Sequence, residues 1–478
     1  MNKLKSGLGA VGQFFADFGH AVADGDIFVK LSLVWFGAGY LGRKQYIKSL
    51  IMTIYEAALI VYFVLVGIPY LSDFGTLGTV QQESVFNIVT MKNEYNDYDN
   101  SFTILLFSVV SLVILAFALY IWICNVKNVY RLQQQAEKGK HVNNFREDLH
   151  DYINKKFYVT LLALPVTGVV LFTVVPLFVM IFVAFTNYDQ NHMPPSALFD
   201  WVGLSNFIKL FGGGGITDTF GYAFVRVLGW TLVWSFFATL TTYFGGILMA
   251  LLVNGKTTIA KPVWRVLFMV TIAVPQFVSL LLVRNFFADN GIMNTILSNL
   301  GVTGFLQNIG VISGNYVPFL TAPGWAHVMI ILINIWIGVP YQMLIANGVL
   351  TNIPSEQLES AAIDGANSWQ IFRSITMPYV FSVTGPALVT DFVKNINNFN
   401  VIYLLTSDFY VTTNQAMANS QAKETDLLVT WLFTLTQDYY NYKMAAAIGI
   451  IIFVICALFT LIAFNRVVAS TGEGDFAQ

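Results

Sequence analysis

Apolar residues in this chain fall into long continuous blocks rather than into the short alternations of a soluble fold. Eight blocks approach or exceed the roughly 20 residues that a membrane-spanning helix needs. They cover about 49–70, 102–124, 157–186, 224–253, 264–286, 325–350, 379–405 and 443–465. The clearest are FTILLFSVVSLVILAFALYIWIC (102–124) and KMAAAIGIIIFVICALFTLIAF (443–464). The blocks at 325–350 and 379–405 carry polar residues inside them. A different pattern opens the chain. Leu4, Leu8, Val11, Phe15, Phe18 and Val22 recur at helical spacing among polar residues, which predicts an amphipathic helix at the membrane surface. Ala21-Val22-Ala23 imitates a leader cleavage site, but Gln13, Asp17 and His20 interrupt the apolar stretch a leader requires.

One stretch between two blocks is neither membrane-like nor featureless. In LESAAIDGANSWQIFRSITMPYV (358–380) a short helix is predicted from Glu356 to Asp364, entered at Pro354-Ser355 with Ser355 as its cap and stopped at Gly365. Asn367 then caps a second helix, with Gln370 placed to reach back, and Pro378 ends it. Leu358, Ala361 and Ala362 share a face of the first helix; Trp369, Phe372 and Thr376, with Ile375 beside them, share a face of the second. Helices of about nine residues are about 14 Å long and cannot span. Taken by itself the pattern also suits a hairpin lying flat on the bilayer.

Composition reinforces the membrane reading. The chain is 56% hydrophobic and 11% charged, an apolar excess that soluble cores of this size cannot hide. A net charge of −2 gives no footprint for nucleic acid. Cys124 and Cys456 both lie inside apolar blocks, so a disulfide framework is not expected. If the N-terminus is cytoplasmic, segments 1–48, 125–156, 254–265, 351–378 and 466–478 hold 18 of the 25 Lys and Arg residues. That bias places both termini and the 351–378 loop inside the cell.

Catalytic motifs are lacking. NGKTT (254–258) resembles the end of a phosphate-binding loop, but Ala250 stands where the first glycine belongs. DFG (73–75) has no kinase companions, and the five histidines are scattered. A nucleotide, metal or other cofactor site on this chain is therefore not expected. The polar residues inside the late blocks are more informative. Asp391, Asn395 and Asn398 share one helix face, and Asn334, Gly338 and Tyr341 repeat that spacing. Unpaired amides and charges are costly in lipid, so these faces line a protein interior or a wet cavity. Two readings stay open from pattern alone, a solute path and interhelical hydrogen bonding worth about 0.6–2 kcal/mol per contact.

The 359–378 stretch is similar to the loop motif of ABC-importer permeases, E-A-A-x3-G-x9-I-x-L-P. Glu359, Ala361, Gly365, Ile375 and Pro378 match it; Ser360 replaces alanine and Met377 replaces leucine. FTNYDQNHMPPSALFDWVGLSNF (185–207), AVPQFVS (273–279), GVPY (338–341) and NINNFNVIYLL (395–405) resemble the MalF type, the larger permease of maltose/maltodextrin importers. GYLGRKQYIKSLI (39–51) is similar to its short-loop Gram-positive versions.

The resemblance implies an all-α, eight-span protein with a type I ABC importer core. Residues 1–156 would hold the surface helix, two spans and a cytoplasmic loop; 157–478 would hold a six-span core with the 351–378 coupling loop. It implies that Glu359, Ser360, Ala361, Asp364, Gly365, Ile375 and Pro378 couple to a separate ATPase, with Glu359, Asp364 and Arg373 offering charge at the rim. ATP and Mg would then sit on that partner. Ser279, Ile337, Gly338, Tyr341, Asn395 and Asn398 match the family's sugar-path positions. Asp391 stands where a serine is expected and Lys394 where an aromatic is. Three apart on a helix, these two can pair with each other. The implied partners are a second, MalG-like permease, two ATPase subunits, an extracellular sugar-binding protein and the bilayer. The competing readings are an ion- or proton-coupled secondary transporter using Asp391 and Lys394 as a relay, and a membrane scaffold.

Overall fold

The computed structural model describes residues 2–212, 219–255, 257–409, 412 and 414–470. Lys256 of the 254–258 stretch and residues 471–478 of the C-terminal segment lie outside them. Among the described residues the fold is all-α apart from a two-stranded antiparallel hairpin, Ser84–Asn87 with Lys92–Tyr95, in the loop after the first span. The chain forms two compact units, Met1–Val202 and Gly203–Gln478. The first of them takes in the 157–183 segment that the sequence division groups with the core.

Among the described residues six helices are long and apolar enough to span: Tyr46–Asp73, Ser101–Glu137, Phe157–Val183, Phe220–Asn254, Pro323–Leu350 and Tyr442–Arg466. A seventh is a broken pair, Lys261–Ala273 and Gln276–Phe286, bent by 91°. Pro275 explains the bend, because it forces Val274 into the extended conformation (φ −77°, ψ 126°) and ends the helix before it. The 379–405 block is not a single helix: Met377–Ile396 stops at Asn397, Asn398 caps a separate helix Phe399–Thr406, and Asp391 and Lys394 dilute the apolar run, so length and composition alone do not mark it as a span. Large side chains such as Leu65, Leu164 and Phe172 stand outward on the spans with nothing from the chain over them, as lipid-facing residues do.

Among the described residues three spans or their approaches contain a single wide π-turn: Phe63–Gly67, Val170–Val174 and Phe372–Thr376. Each is followed two residues later by proline, at Pro69, Pro176 and Pro378. The ring of proline clashes with the carbonyl four residues back and offers no N–H to it. Widening that turn relieves both problems without ending the helix. Pro340 and Pro386 sit in unwidened α-helix, so proline permits the wide turn without requiring it.

In the first unit, Asn2–Asp24 is the predicted N-terminal helix, and it packs against Ser101–Glu137. Phe14 stacks on Tyr120, Phe18 meets Trp122, and Lys127 reaches Asp17 at 3.1 Å. Asn100 caps the second span by accepting from the Thr103 N–H. In the second unit, Phe220–Asn254 and Pro323–Leu350 lie against each other at small residues. A Cβ on Gly338 would come within 2.7 Å of Thr242, and one on Gly246 within 2.4 Å of Gln342. Such close approach is how helices associate where lipid removes the hydrophobic drive. Trp234, Leu280, Ile330, Leu405 and Leu427 form one core beside this pair; Tyr243, Ile247, Met343 and Val380 form another.

Candidate functional site

The loop between Pro323–Leu350 and Met377–Ile396 is a rigid, exposed helical hairpin. Its first helix is Ser355–Ile363, with Pro354 at the cap position and no side-chain cap, so Ser355 is the first helical residue rather than the cap. Pro354, with a non-helical backbone (φ −57°, ψ 124°), takes the cap position itself, so the helix starts one residue sooner than a serine cap would place it. The C-terminus closes as a Schellman motif. Gly365 N–H donates to the Ala362 carbonyl (3.1 Å) and Ala366 N–H to the Ala361 carbonyl (3.0 Å). Gly365 has φ +84°, a left-handed backbone that glycine adopts without penalty. The second helix begins with the expected capping box: Asn367 Oδ1 accepts from Gln370 N–H at 2.9 Å, and Gln370 Oε1 accepts from Asn367 N–H at 2.8 Å. It does not end at Pro378. Ser368–Ile371 passes through the wide turn Phe372–Thr376 straight into Met377–Ile396, so the hairpin's second arm and the following membrane helix form one rod.

Glu359, Ser360, Asp364, Gly365, Arg373 and Pro378 are exposed, while Leu358, Ala361 and Ile375 are half-buried and Thr376 is buried. Ala362 is exposed, away from the apolar face it was grouped with. Two apolar residues stand out at the tip: Ile363 is 86% exposed and Trp369 66%. Ile363 is a candidate contact that sequence reading missed. Its signal was available, because an isoleucine at the last turn of a short helix, off the Leu358–Ala361 face, has nothing of its own chain to pack on.

The polar faces converge where three helices meet. Asn395 Nδ2 donates to Thr239 Oγ1 (3.0 Å), and its carbonyl accepts from the Trp234 indole N–H (3.0 Å). Asn398 Nδ2 donates to Asn395 Oδ1 (3.3 Å), and Asn398 caps the helix that follows. An amide carries two N–H groups, so each asparagine keeps one donor beyond these bonds. Asp391 and Lys394 do not pair. Asp391 Oδ2 instead accepts from Gln342 Nε2 at 2.7 Å, and Lys394 Nζ lies 5.9 Å from the centre of the Tyr341 ring. The neighbouring helix offers each a partner on its own side, which the three-residue spacing could not reveal. Thr239, Trp234 and Gln342 are thus part of the site and were not singled out. Gln342 follows Gly338 by one helical turn, which was a usable signal.

Tyr341 is half exposed and Ile337 half-buried, but Asn334 is buried, so the 334–338–341 row runs from core to surface. Ser279 is half-buried just past the bend, and no side-chain hydrogen bond ties it to another described residue.

Comparison with known proteins fits this geometry. Residues 242–470 match the family of binding-protein-dependent transport system inner membrane components. The chain is 31% identical over 433 residues, 90% of its length and 93% of the relative's, to the maltodextrin transport system permease protein MalC of Streptococcus pneumoniae. It is 30% identical over 433 residues, covering 95% of the relative, to the galactooligosaccharides transport system permease protein GanP of Bacillus subtilis. To the maltose/maltodextrin permease MalF of Salmonella typhimurium it is 31% identical over 265 residues, only 48% of that longer protein. These likenesses disfavour the ion-coupled alternative. The chain belongs to the binding-protein-dependent ABC transport permeases, as a multi-pass membrane protein of the branch that includes MalC and GanP.

Proposed function

We propose that this chain is one of two permease subunits of an ATP-driven importer for oligosaccharides, forming the sugar path with a MalG-like second permease. Two cytoplasmic ATPase subunits bind ATP and Mg, and an extracellular sugar-binding protein delivers the solute. Both termini and the 351–378 loop face the cytoplasm; reporter fusions at Gly139 and Gly365 report inside, and at Asn96 and Asn414 outside. The observation that carries the reading is the hairpin Ser355–Ile371, exposed at Ile363 and Trp369 and continuous with the helix that bears Asp391, Lys394 and Asn395. A partner that grips the tip moves a rod, and the rod's far end carries the polar face. In that reading Glu359, Ser360, Ala361, Asp364, Gly365, Ile375 and Pro378 hold or shape the ATPase contact. Ser279, Ile337, Gly338, Tyr341, Asp391, Lys394, Asn395 and Asn398 line the path. The spare amide donors and the Tyr341 ring suit sugar hydroxyls and an apolar sugar face. The relatives' maltodextrin and galactooligosaccharide names support the solute class.

The test is a cysteine at the tip. In a variant with Cys124 and Cys456 replaced by alanine, Ile363→Cys cross-links to the co-expressed ATPase subunit, and the yield changes on adding ATP. Absence of any ATPase adduct in an assembled, transporting complex would remove the hairpin from the interface.

A further inference from the structure

The cleft between the N-terminal helix and the lower end of the second span has no part in the transport reading. It measures about 410 Å3 and is lined by Asp17, His20, Lys127, Tyr130, Arg131 and Gln134. We infer that this cleft binds the headgroup of an anionic glycerophospholipid, with the phosphate on Arg131 and Lys127.

Depth is the first argument. The apolar segment 102–124 is about 33 Å long at 1.5 Å per residue, which matches the roughly 30 Å hydrocarbon layer. On the same helix Lys127 lies about 5 Å past its end, inside a headgroup band about 5–8 Å thick, and Arg131 about 10 Å past it, one helical turn further, from which its long side chain reaches back to that band. Tyr120 and Trp122 sit at the boundary just before them, packed on Phe14 and Phe18 of the N-terminal helix, as aromatic residues do at a membrane interface.

Charge is the second. Lys127 Nζ is held by Asp17 (3.1 Å), the Phe14 carbonyl (3.3 Å) and the face of the Phe14 ring (4.1 Å). It is thereby fixed at the cleft wall. His20 pairs with Asp24 along its own helix. Arg131 makes no ion pair with any described residue. The cleft's uncompensated charge is therefore one guanidinium, a planar donor fork that takes phosphate oxygens two at a time. The Gln134 amide and Tyr130 hydroxyl remain to bond the headgroup's own hydroxyls, and Asp17 accepts from one of them. Basic clefts beside a span at this depth are the sites where acidic headgroups settle. Bound there, the lipid would join the N-terminal helix to the second span from outside.

The experiment places the purified full-length permease in nanodiscs of phosphatidylcholine with or without phosphatidylglycerol. Lipid that stays bound after detergent extraction is counted by intact-protein mass spectrometry. The wild type retains phosphatidylglycerol selectively. Arg131→Gln retains about fivefold less, the effect of about 1 kcal/mol per basic side chain at an anionic surface, and Arg131→Lys recovers part of the loss. Arg146→Gln, on the exposed helix Phe145–Ile153, leaves retention unchanged. Three results overturn the proposal: equal loss in Arg146→Gln, which makes the effect one of general surface charge; full retention in Arg131→Gln; or displacement of the lipid by millimolar inorganic phosphate, which makes the cleft a free-anion site. Size-exclusion profiles of the variants separate lipid loss from misfolding.

Discussion

Replacing Gly365 by valine isolates the backbone contribution to the hairpin. A Cβ there would meet no atom within 4 Å, so steric crowding inside the chain contributes nothing. The cost comes from φ +84°. Left-handed backbone costs a residue with a side chain about 1–2 kcal/mol, and a β-branched residue sits at or above the top of that range. At about 1.4 kcal/mol per factor of ten, a cost of about 2 kcal/mol or more means that valine leaves the Schellman turn in place about thirtyfold less often, or rarer still, relative to its opened form. Asparagine tolerates this region and costs least; alanine falls between. The expected order of binding-protein-stimulated ATP hydrolysis in the reconstituted complex is Gly, Asn, Ala, Val, with co-purification of the ATPase falling in the same order. Membrane insertion stays normal throughout, because the hairpin is exposed. Stimulated hydrolysis unchanged in Gly365→Val would refute the requirement for a fixed turn. Asparagine as damaging as valine would show that partner approach, not backbone geometry, fixes the glycine.

Gly338→Ala pushes a methyl group against Thr242 Cγ2 at 2.7 Å and is expected to lower thermal stability in detergent by about 1–3 kcal/mol, the usual cost of overpacking. Thr242→Ser, which removes that methyl group and keeps the hydroxyl bonded to the Ala238 carbonyl, restores most of it; no rescue would disprove the contact. Because Asp391 and Lys394 have separate partners in Gln342 and Tyr341, Asp391→Ser and Lys394→Phe should each reduce transport, and their effects should add within about 0.5 kcal/mol. A coupling well above that in a double-mutant cycle would show that the two charges pair after all. Asp426, buried in the segment after Phe399–Thr406, has its carboxyl pushed up to about 6 by desolvation, against the opposing pull of bonds from the Lys423 N–H and the Thr430 hydroxyl. A folded pKa above the unfolded 3.8 gives stability that is present at low pH and lost as pH rises through about 6. The thermal midpoint should therefore fall between about pH 3.5 and 6.5 and level off above, and Asp426→Asn should flatten that slope, the wild type's loss being on the order of 3 kcal/mol. Identical slopes in the two proteins would rule the group out.

The parts legible in the sequence were those set by local chemistry. The Asn367–Gln370 box and the Gly365 stop depend on neighbours within five residues, and both appear as read. Ser355 failed as a cap because Pro354, equally local, starts the helix first. The wide turns were not foreseen, yet each has a proline two residues beyond it, so the signal was present and unused. The 379–405 block was read as one helix, because counting apolar residues cannot show that Asn398 caps a new one. The polar face of that segment was visible, but its partners were not. Thr239, Trp234 and Gln342 come from helices roughly 50 to 160 positions away in sequence, and spacing along one helix says nothing about its neighbour. For the same reason Asp391 and Lys394 looked like a pair.

The account's central claim is that movement of the solute is driven by ATP hydrolysed on another chain through the 351–378 hairpin. Proteoliposomes holding this permease, its companion permease and the ATPase, supplied with loaded sugar-binding protein, test it directly by uptake of labelled oligosaccharide. The account predicts uptake with ATP inside the compartment that faces the hairpin, none with an ATPase unable to hydrolyse it, and no response to a proton or sodium gradient. Gradient-driven accumulation by the permease alone, without ATP, would contradict it.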